Sequence, residues 1–543
     1  MVWASTEPRK ARSIFRFRIF YRPKYPIKTA WTTVAFVGGL SAKAGLAIKH
    51  SLFDDAALRD GLHRRSLRGG AVSMLAQGGN LTLQIVSTIV LARILLPEDF
   101  GLVAMVAAIT GYGSVVVDLG TRDAVAQRSN INEGEISALF WITLSIGVAL
   151  TAITILAAPL LARFYEEPRL RDIAIAMSVT FLAPALYYQQ YALMRRALLF
   201  RKLAVIDFGS SLLATVLAII LAARGYGYWA IVSKAVCTVT FTAFAVWISC
   251  GWWPKRPRFT RGVREIYGFG LNITGFLITD IVARSADRVA LGYTAGPREL
   301  GYYQNAFTAY EGGLTICVSL HNVASATLSK LRDDVPALQR AWSTALSSLT
   351  YFAAPGGAIL AVIAQDLVFL VLGRKWQVAG LILSVLALRF AAQVVERTNG
   401  WLHIAAGRPD RWRHWGILSC IITLIALFCG LPFGGVGVAA AYAVSSYCLF
   451  IPAIAYAGKP LGISAADVLK AVGPQVGTAL GVAAVGFVLR FTLLQHMAPL
   501  LRIVALTVLC SAVYLSTMTL GFRMTKPLSV LASLLRARKD AVS

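Results

Sequence analysis

The sequence is poor in acid: 26 Asp plus Glu stand against 53 Lys plus Arg, a formal net charge of +27. Charge of either sign is sparse, at 15% of the residues. The seven cysteines (Cys237, Cys250, Cys317, Cys420, Cys429, Cys448 and Cys510) include no CxxC pair, and all lie in or beside apolar stretches. That excludes a zinc-finger spacing and a disulfide framework and leaves small packing residues. No GxxxxGK[ST] loop is present, so the chain has no P-loop with which to hydrolyse ATP. HExxH and GxSxG are missing too, and no large polar domain exists to carry a pair of catalytic carboxylates. A glycosyltransferase or polymerase needs such equipment or a long external loop, so an enzyme is not expected. Neither a cofactor nor a metal is implied. The basic residues fall in short runs between apolar stretches and form no continuous face, which argues against a nucleic-acid partner.

What is abundant is hydrocarbon. The chain is 57% apolar, against about 45–50% for soluble domains, with a mean hydropathy of +0.65. High charge and high hydropathy agree if the apolar residues span a bilayer and the cations sit in its cytoplasmic loops. Residues 1–68 form a basic arm (Arg9, Lys10, Arg12, Arg16, Arg18 and on to Arg68), whose most apolar stretch, Trp31 to Leu40, is too short to span. From Gly69 the apolar cores fall at 70–92, 100–121, 136–158, 172–194, 203–223, 228–249, 267–290, 301–325, 342–363, 378–399, 414–431, 434–456, 472–492 and 499–521. These are too long and unbroken for barrel strands, so the expected fold is an all-α membrane protein of about fourteen transmembrane helices. Alternate loops are rich in Arg and Lys (Arg195 to Lys202, Lys255 to Arg264, Lys330 to Arg340, Arg408 to Arg413), as is the tail from Arg523 to Lys539. The positive-inside rule then puts both termini in the cytoplasm.

A repeat refines this plan. Pro97, Asp99, Phe100 and Gly101 follow the first core; Pro297, Glu299, Leu300 and Gly301 follow the first core of the second half, at a constant offset of 200 residues. Duplication predicts a first lobe at 69–252, a second at 253–457, two further helices at 458–522 and a basic tail at 523–543.

Several segments in order resemble the polysaccharide transporter family, the Wzx-like flippases of the multidrug/oligosaccharidyl-lipid/polysaccharide exporter superfamily. They are Leu91 to Gly101, Ala162 to Tyr165 with Pro168, Gly225 to Ala230, Arg284 to Gly301, Ser329 to Asp334, Leu372 to Trp376 and Ala406 to Asp410. The basic arm departs from the family pattern, in which the first helix begins near the start. The resemblance implies translocation of an undecaprenyl-pyrophosphate-linked oligosaccharide across the bacterial inner membrane for exopolysaccharide or lipopolysaccharide synthesis. It also implies the polymerase and export machinery of that pathway as partners.

Polar residues on spanning helices cost about 2.5 kcal/mol or more for a central charge, so each needs a reason. The seventh core carries Asp280, Arg284, Asp287 and Arg288; the tenth carries Arg389, Gln393, Glu396 and Arg397. Both sets step by four, three and one, which keeps each close to one helix face. Arginine keeps its charge on burial and donates paired hydrogen bonds to phosphate oxygens. Arg284, Arg389, Arg397, Arg288 and Gln393 are therefore the expected substrate-binding residues. Asp280, Asp287, Glu396 and Asp118 are expected to bind a coupling proton or sodium ion, or to hold ion pairs. The plain alternative is local neutralisation, Asp280 by Arg284 and Gln393 by Arg397. Asp118 with Arg122 is either a latch between lobes or a helix-end pair, and Tyr187 to Tyr191 either a sugar platform or interfacial aromatics. Two other cargoes stay open: drugs or cations exchanged by an antiporter of the same superfamily, and the peptidoglycan precursor.

Overall fold

The computed structural model describes residues 62–111, 113–122, 125, 132–258, 263, 285–314 and 334–524, all within the unit Ile48–Ser543. Among the described residues every regular element is a helix. The N-terminal half, the expected first lobe, contains α1 (Leu62–Ile94), α2 (Pro97–Thr110, continuing through Gly113–Asp118), α3 (Glu133–Phe164), α4 (Arg169–Met177 and Val179–Arg196), α5 (Phe200–Ala223) and α6 (Trp229–Cys250). In the second, 285–314 is helical and contains α7 and α8. It is followed by α9 (Val335–Leu372), α10 (Gln377–Leu388, Phe390–Arg397 and Asn399–Ala405), α11 (Pro409–Gly430) and α12 (Gly434–Gly458). The chain goes on to α13 (Ala465–Phe491) and α14 (Pro499–Ser516).

Ten described helices are long and apolar enough to cross a membrane, eleven if the bent halves of α10 form one span. One of the ten, Asp410–Leu461, covers 52 residues and contains both α11 and α12, parted by a 3-10 turn at Leu431–Phe433. Of the fourteen expected cores, 267–290 and 301–325 fall partly outside the described residues, as does nearly all of the arm and the tail. Helix α1 starts at Leu62, inside the expected arm, although its apolar span begins at Val72. Large apolar side chains point outward, among them Leu156, Leu160, Phe244 and Val508. In water such a surface would aggregate, whereas against lipid tails it costs nothing. Pro97, Pro409 and Pro499 stand in first helical turns, where the missing N–H has no partner to lose.

The stretch 285–314 is a hairpin. In a straight helix Asp287 and Tyr303 would lie about 24 Å apart, yet the Tyr303 hydroxyl donates to the Asp287 carboxylate at 2.7 Å. Gly296, with φ of 77°, makes the reversal, and Pro297 opens α8. The equivalent turn at the end of α1 is fixed by Asp99, whose carboxylate accepts the Leu96 N–H at 2.9 Å.

These repeated turns meet each other. A Cβ on Gly101 would lie 1.6 Å from the carbonyl oxygen of Pro297, and one on Gly301 would lie 1.9 Å from that of Pro97. The contact is reciprocal, glycine of each motif against proline of the other. Cations reinforce it. Arg93, at the end of α1, donates to the carbonyls of Val371 (2.8 Å) and Leu370 at the end of α9. Lys375 donates back to the carbonyls of Arg93 (2.9 Å) and Leu95. Each cation thus satisfies orphan carbonyls at the negative end of the other lobe's helix. Trp376 fills the space between, its indole N–H on the Ala92 carbonyl at 2.8 Å and its ring edge-on to Phe100. Phe164 stacks on Tyr293 at the margin. Beside this seam Arg169 bridges Glu98 (2.6 Å) and Glu167 (2.8 Å), and its hydrogen bonds hold the Glu167 carboxyl below the ordinary range.

Helices α13 and α14 pack along α9. Their anchor is buried Asp366 on α9, which takes Arg490 of α13 at 3.2 Å and Arg502 of α14 at 2.6 Å. The Tyr514 hydroxyl on the Tyr351 carbonyl and the Gln475 amide on Ser347 extend the contact.

Two outcomes follow from this packing. Gly101→Val and Gly301→Val should each destabilise the protein in detergent by about 1–3 kcal/mol, the cost of overpacking. The double variant should lose less than the sum, because either substitution alone opens the same seam; melting temperatures of the set read this out. Asp366→Ala should cost about 3–5 kcal/mol by leaving two buried guanidiniums face to face, seen as a lower melting temperature and protease cleavage in the 458–498 region.

Candidate functional site

Helix α10 bends by 48° between Arg374–Leu388 and Phe390–His403, and Arg389 is the residue at the break. The bend turns its guanidinium toward α12. The Arg389 Nε donates to the Ser446 hydroxyl at 2.7 Å, and the guanidinium carbon sits 4.8 Å from the centroid of the Tyr442 ring. From the hairpin, Asp287 reaches the same region. It is 1% exposed, accepts from Tyr303 and from the Arg288 N–H at 2.8 Å, and lies within electrostatic range of Arg389. Arg288 stacks over Phe307 at 4.8 Å.

Further along, Arg397 pairs with Glu311 of α8 at 3.4 Å, with both side chains about a third exposed or more (32% and 41%). Tyr310 links the two halves of the cluster, edge-on to Phe390 and within electrostatic range of Arg389, Glu311, Arg397 and Glu396. Gln393 keeps a buried Oε1 that no described residue hydrogen-bonds. The polar faces of α7 and α10 thus meet in one cluster holding Asp287, Arg288, Arg389, Gln393, Glu396 and Arg397. Asp280 and Arg284 lie outside the described residues. Three guanidiniums among carboxylates and phenols can bind an anion by exchanging a protein carboxylate for a ligand oxygen, with little change in buried charge.

A second cluster sits in the first lobe. Asp118 and Arg122 pair at 3.0 Å within the end of α2, and the guanidinium lies 4.2 Å from the centroid of the Tyr188 ring. The pair packs on α4 through Tyr188. The Tyr191 hydroxyl donates to Asp207 of α5 at 2.8 Å, while buried Gln189 donates to Thr121 and Thr143. Within Tyr187 to Tyr191, the Tyr191 hydroxyl and the Gln189 amide nitrogen are used inside the protein, whereas the buried Gln190 amide has no hydrogen-bond partner among the described residues. Lys234 donates to Ser87 between α6 and α1 at 2.6 Å.

Asp207, Tyr303, Asp366, Arg490 and Arg502 were not singled out from the sequence. Asp207, Arg490 and Arg502 lie within a few residues of the ends of their apolar cores, and Asp366 just beyond one, where charge reads as interfacial. The available signal was that such a residue lies within a turn or two of an apolar core. Among the described residues no group of three or more His, Cys, Asp or Glu is placed to hold a metal.

Comparison with known proteins gives the arrangement its context. In solved structures, the lipid II flippase MurJ in an inward closed conformation superposes with a TM-score of 0.64 at 14% identity, over 83% of this chain and 99% of that one. At that identity the likeness is one of fold. In sequence, the chain is 24% identical over 383 residues to the lipopolysaccharide biosynthesis protein WzxC of Escherichia coli (strain K12), covering 69% of this chain and 77% of that one. It is 24% identical over 362 residues to the teichuronic acid biosynthesis protein TuaB of Bacillus subtilis (strain 168), covering 63% and 72%. It is 23% identical over 318 residues to the succinoglycan biosynthesis transport protein ExoT of Rhizobium meliloti (strain 1021), covering 58% and 64%. These point to transport and not to an enzyme. The family model described as polysaccharide biosynthesis protein matches residues 90–380, more than half of the 543 and spanning both repeated turns. With its many apolar helices, the chain is a multi-pass membrane protein that belongs to the polysaccharide biosynthesis protein family.

Proposed function

We propose that this protein is a flippase that carries an undecaprenyl-pyrophosphate-linked oligosaccharide across the bacterial inner membrane, from the cytoplasmic to the periplasmic leaflet. The observation that carries the reading is the arginine cluster of the second lobe in a chain of this family. Such a cargo joins a tail that prefers lipid, sugars that prefer water, and a pyrophosphate that needs cations. Arg389 and Arg397 supply cations on the bent helix α10, and Arg288 belongs to the hairpin beside it; Arg284 precedes it in sequence, outside the described residues. The pyrophosphate oxygens replace Glu311 and its neighbours on these guanidiniums, while Tyr310 and Tyr442 offer phenols to the first sugars. An antiporter for cationic drugs is disfavoured by this cluster, because a cationic cargo would meet three guanidiniums. A peptidoglycan precursor shares the pyrophosphate and stays the nearest rival cargo.

Fourteen spans with both termini in the cytoplasm put the two repeated turns at the periplasmic face. The seam of Gly101, Gly301, Arg93 and Lys375 is then the closed outer gate, and transport proceeds by the lobes parting there and closing at the other end. The polymerase and export machinery of the pathway would receive the cargo.

Arg389→Ala and Arg397→Ala, and Arg284→Ala beside them, should leave the protein in the membrane and abolish polymer export. Each lost guanidinium removes about 1.5–3 kcal/mol of anion affinity, roughly tenfold or more. Normal export by all three would defeat the site assignment, and accumulation of a peptidoglycan precursor in the variants would favour the rival cargo. For the gate, a cysteine at Ala92, which is fully buried here, reports on opening. In a cysteine-free background Ala92→Cys should resist a membrane-impermeant maleimide added outside cells, and should label when Arg93→Ala and Lys375→Ala are added.

A further inference from the structure

Several carboxylates inside the described helices carry cations directly: Asp118 has Arg122 at 3.0 Å, Glu311 has Arg397 at 3.4 Å, and Asp366 has two arginines. Asp287, inside the arginine cluster, is held by the Tyr303 phenol and a backbone N–H, and Asp207, away from that cluster, has no direct cation among the described residues either. It stands on the eighth residue of α5, about 10 Å along the helix, beside Phe208, whose ring packs where Gly79 of α1 leaves space. Its hydrogen-bond partner is the neutral phenol of Tyr191 at 2.8 Å. Among the described residues the cation within its electrostatic range is Arg122, which is already paired with Asp118 and packed on Tyr188. The other neighbours on α4 are Tyr187, which feels the Asp207 charge, and Arg195, one turn past Tyr191, which reaches the Tyr191 phenol and not the carboxylate. Helices α1 and α6 pack along the rest of α5 and bring no charged side chain into range among the described residues.

Two carboxylates therefore share one guanidinium. With both ionised the cluster keeps an unmatched negative charge within the bilayer span, which is expensive. Asp118 is neutralised by direct contact, so the mismatch falls on Asp207, and a proton on its free oxygen removes it while the Tyr191 hydrogen bond persists. We propose that Asp207, held by Tyr191, is a proton-binding site in the first lobe, so that the coupling proton and the anionic cargo are bound in different lobes. When the proton leaves Oδ for water, the freed charge draws Arg122 from Asp118 toward Asp207 across the Tyr188 and Tyr191 rings, a rearrangement at the α2 end. The proposal rests on the chain being a transporter, but its test needs no cargo.

The measurement is a pH titration by infrared difference spectroscopy of the purified full-length protein in lipid, without substrate or sodium, reading the C=O stretch of protonated carboxyl groups. The expected result is a titrating band that disappears in Asp207→Asn and survives in Asp118→Asn. In Tyr191→Phe, which keeps the carboxylate, the band should remain with a displaced midpoint. A band unchanged in Asp207→Asn, or lost in Asp118→Asn instead, overturns the proposal. So does a band whose midpoint moves with added sodium chloride but not with choline chloride, which would make sodium the occupant. If Asp207→Asn fails to fold, Tyr191→Phe decides, and an unmoved midpoint counts against the site. Export by the arginine variants is scored separately, so failure here leaves the cargo reading standing.

Discussion

A charge placed in hydrocarbon must find its counter-charge inside the protein, and that constraint organises most of the polar contacts described here. It sets Arg490 and Arg502 on Asp366, Arg397 on Glu311 and Arg122 on Asp118. Backbone carbonyls answer to it as well. Arg93 and Lys375 reach across the lobes because helix ends leave acceptors that neither lipid nor a short turn can satisfy. Packing between helices in lipid gains little from hydrophobicity, since the outside is equally apolar. Specific polar contacts and close backbone approach therefore carry the joints, and both are concentrated at the seam and along α9.

Much of this was legible in the sequence. Long apolar stretches gave the helices because a bilayer permits few other structures, and a 200-residue offset between two short motifs located the duplicated turns. Matched spacing suggested that two polar faces turn toward one water-filled space; of those residues Asp287 lies within range of Arg389, while Asp280 and Arg284 lie outside the described residues. Less legible was what the motif residues do. Gly101 and Gly301 read only as members of a repeat, whereas their missing side chains make room for the backbone of the other motif. No local pattern reports a contact 196 residues away. The Asp366 triad escaped for a related reason: its members come from three helices and sit near the ends of their apolar stretches, where charge is cheap.

The bend in α10 shows how a polar residue is both tolerated and aimed. Arg389 stands where the helix breaks, so its neighbours' freed backbone groups and its own guanidinium are served by the same displacement toward α12. A straight α10 would spread Arg389, Gln393 and Arg397 along one line. The bent one groups Arg389 with Asp287 and Ser446, and leaves Arg397 with Glu311 at a more open position. The cluster thus has a deep arginine fixed by neutral partners and a shallower one fixed by a carboxylate.

The reciprocal seam has a consequence for descent. In a duplicated gene the two copies of a motif are ordinarily released to diverge, since one can change while the other serves. Here each copy supplies the glycine that accommodates the other's proline, so a side chain acquired by either copy injures a surface that belongs to both. If the halves arose by duplication, this one place would hold both copies to the same residues, and a match at a fixed offset would persist there.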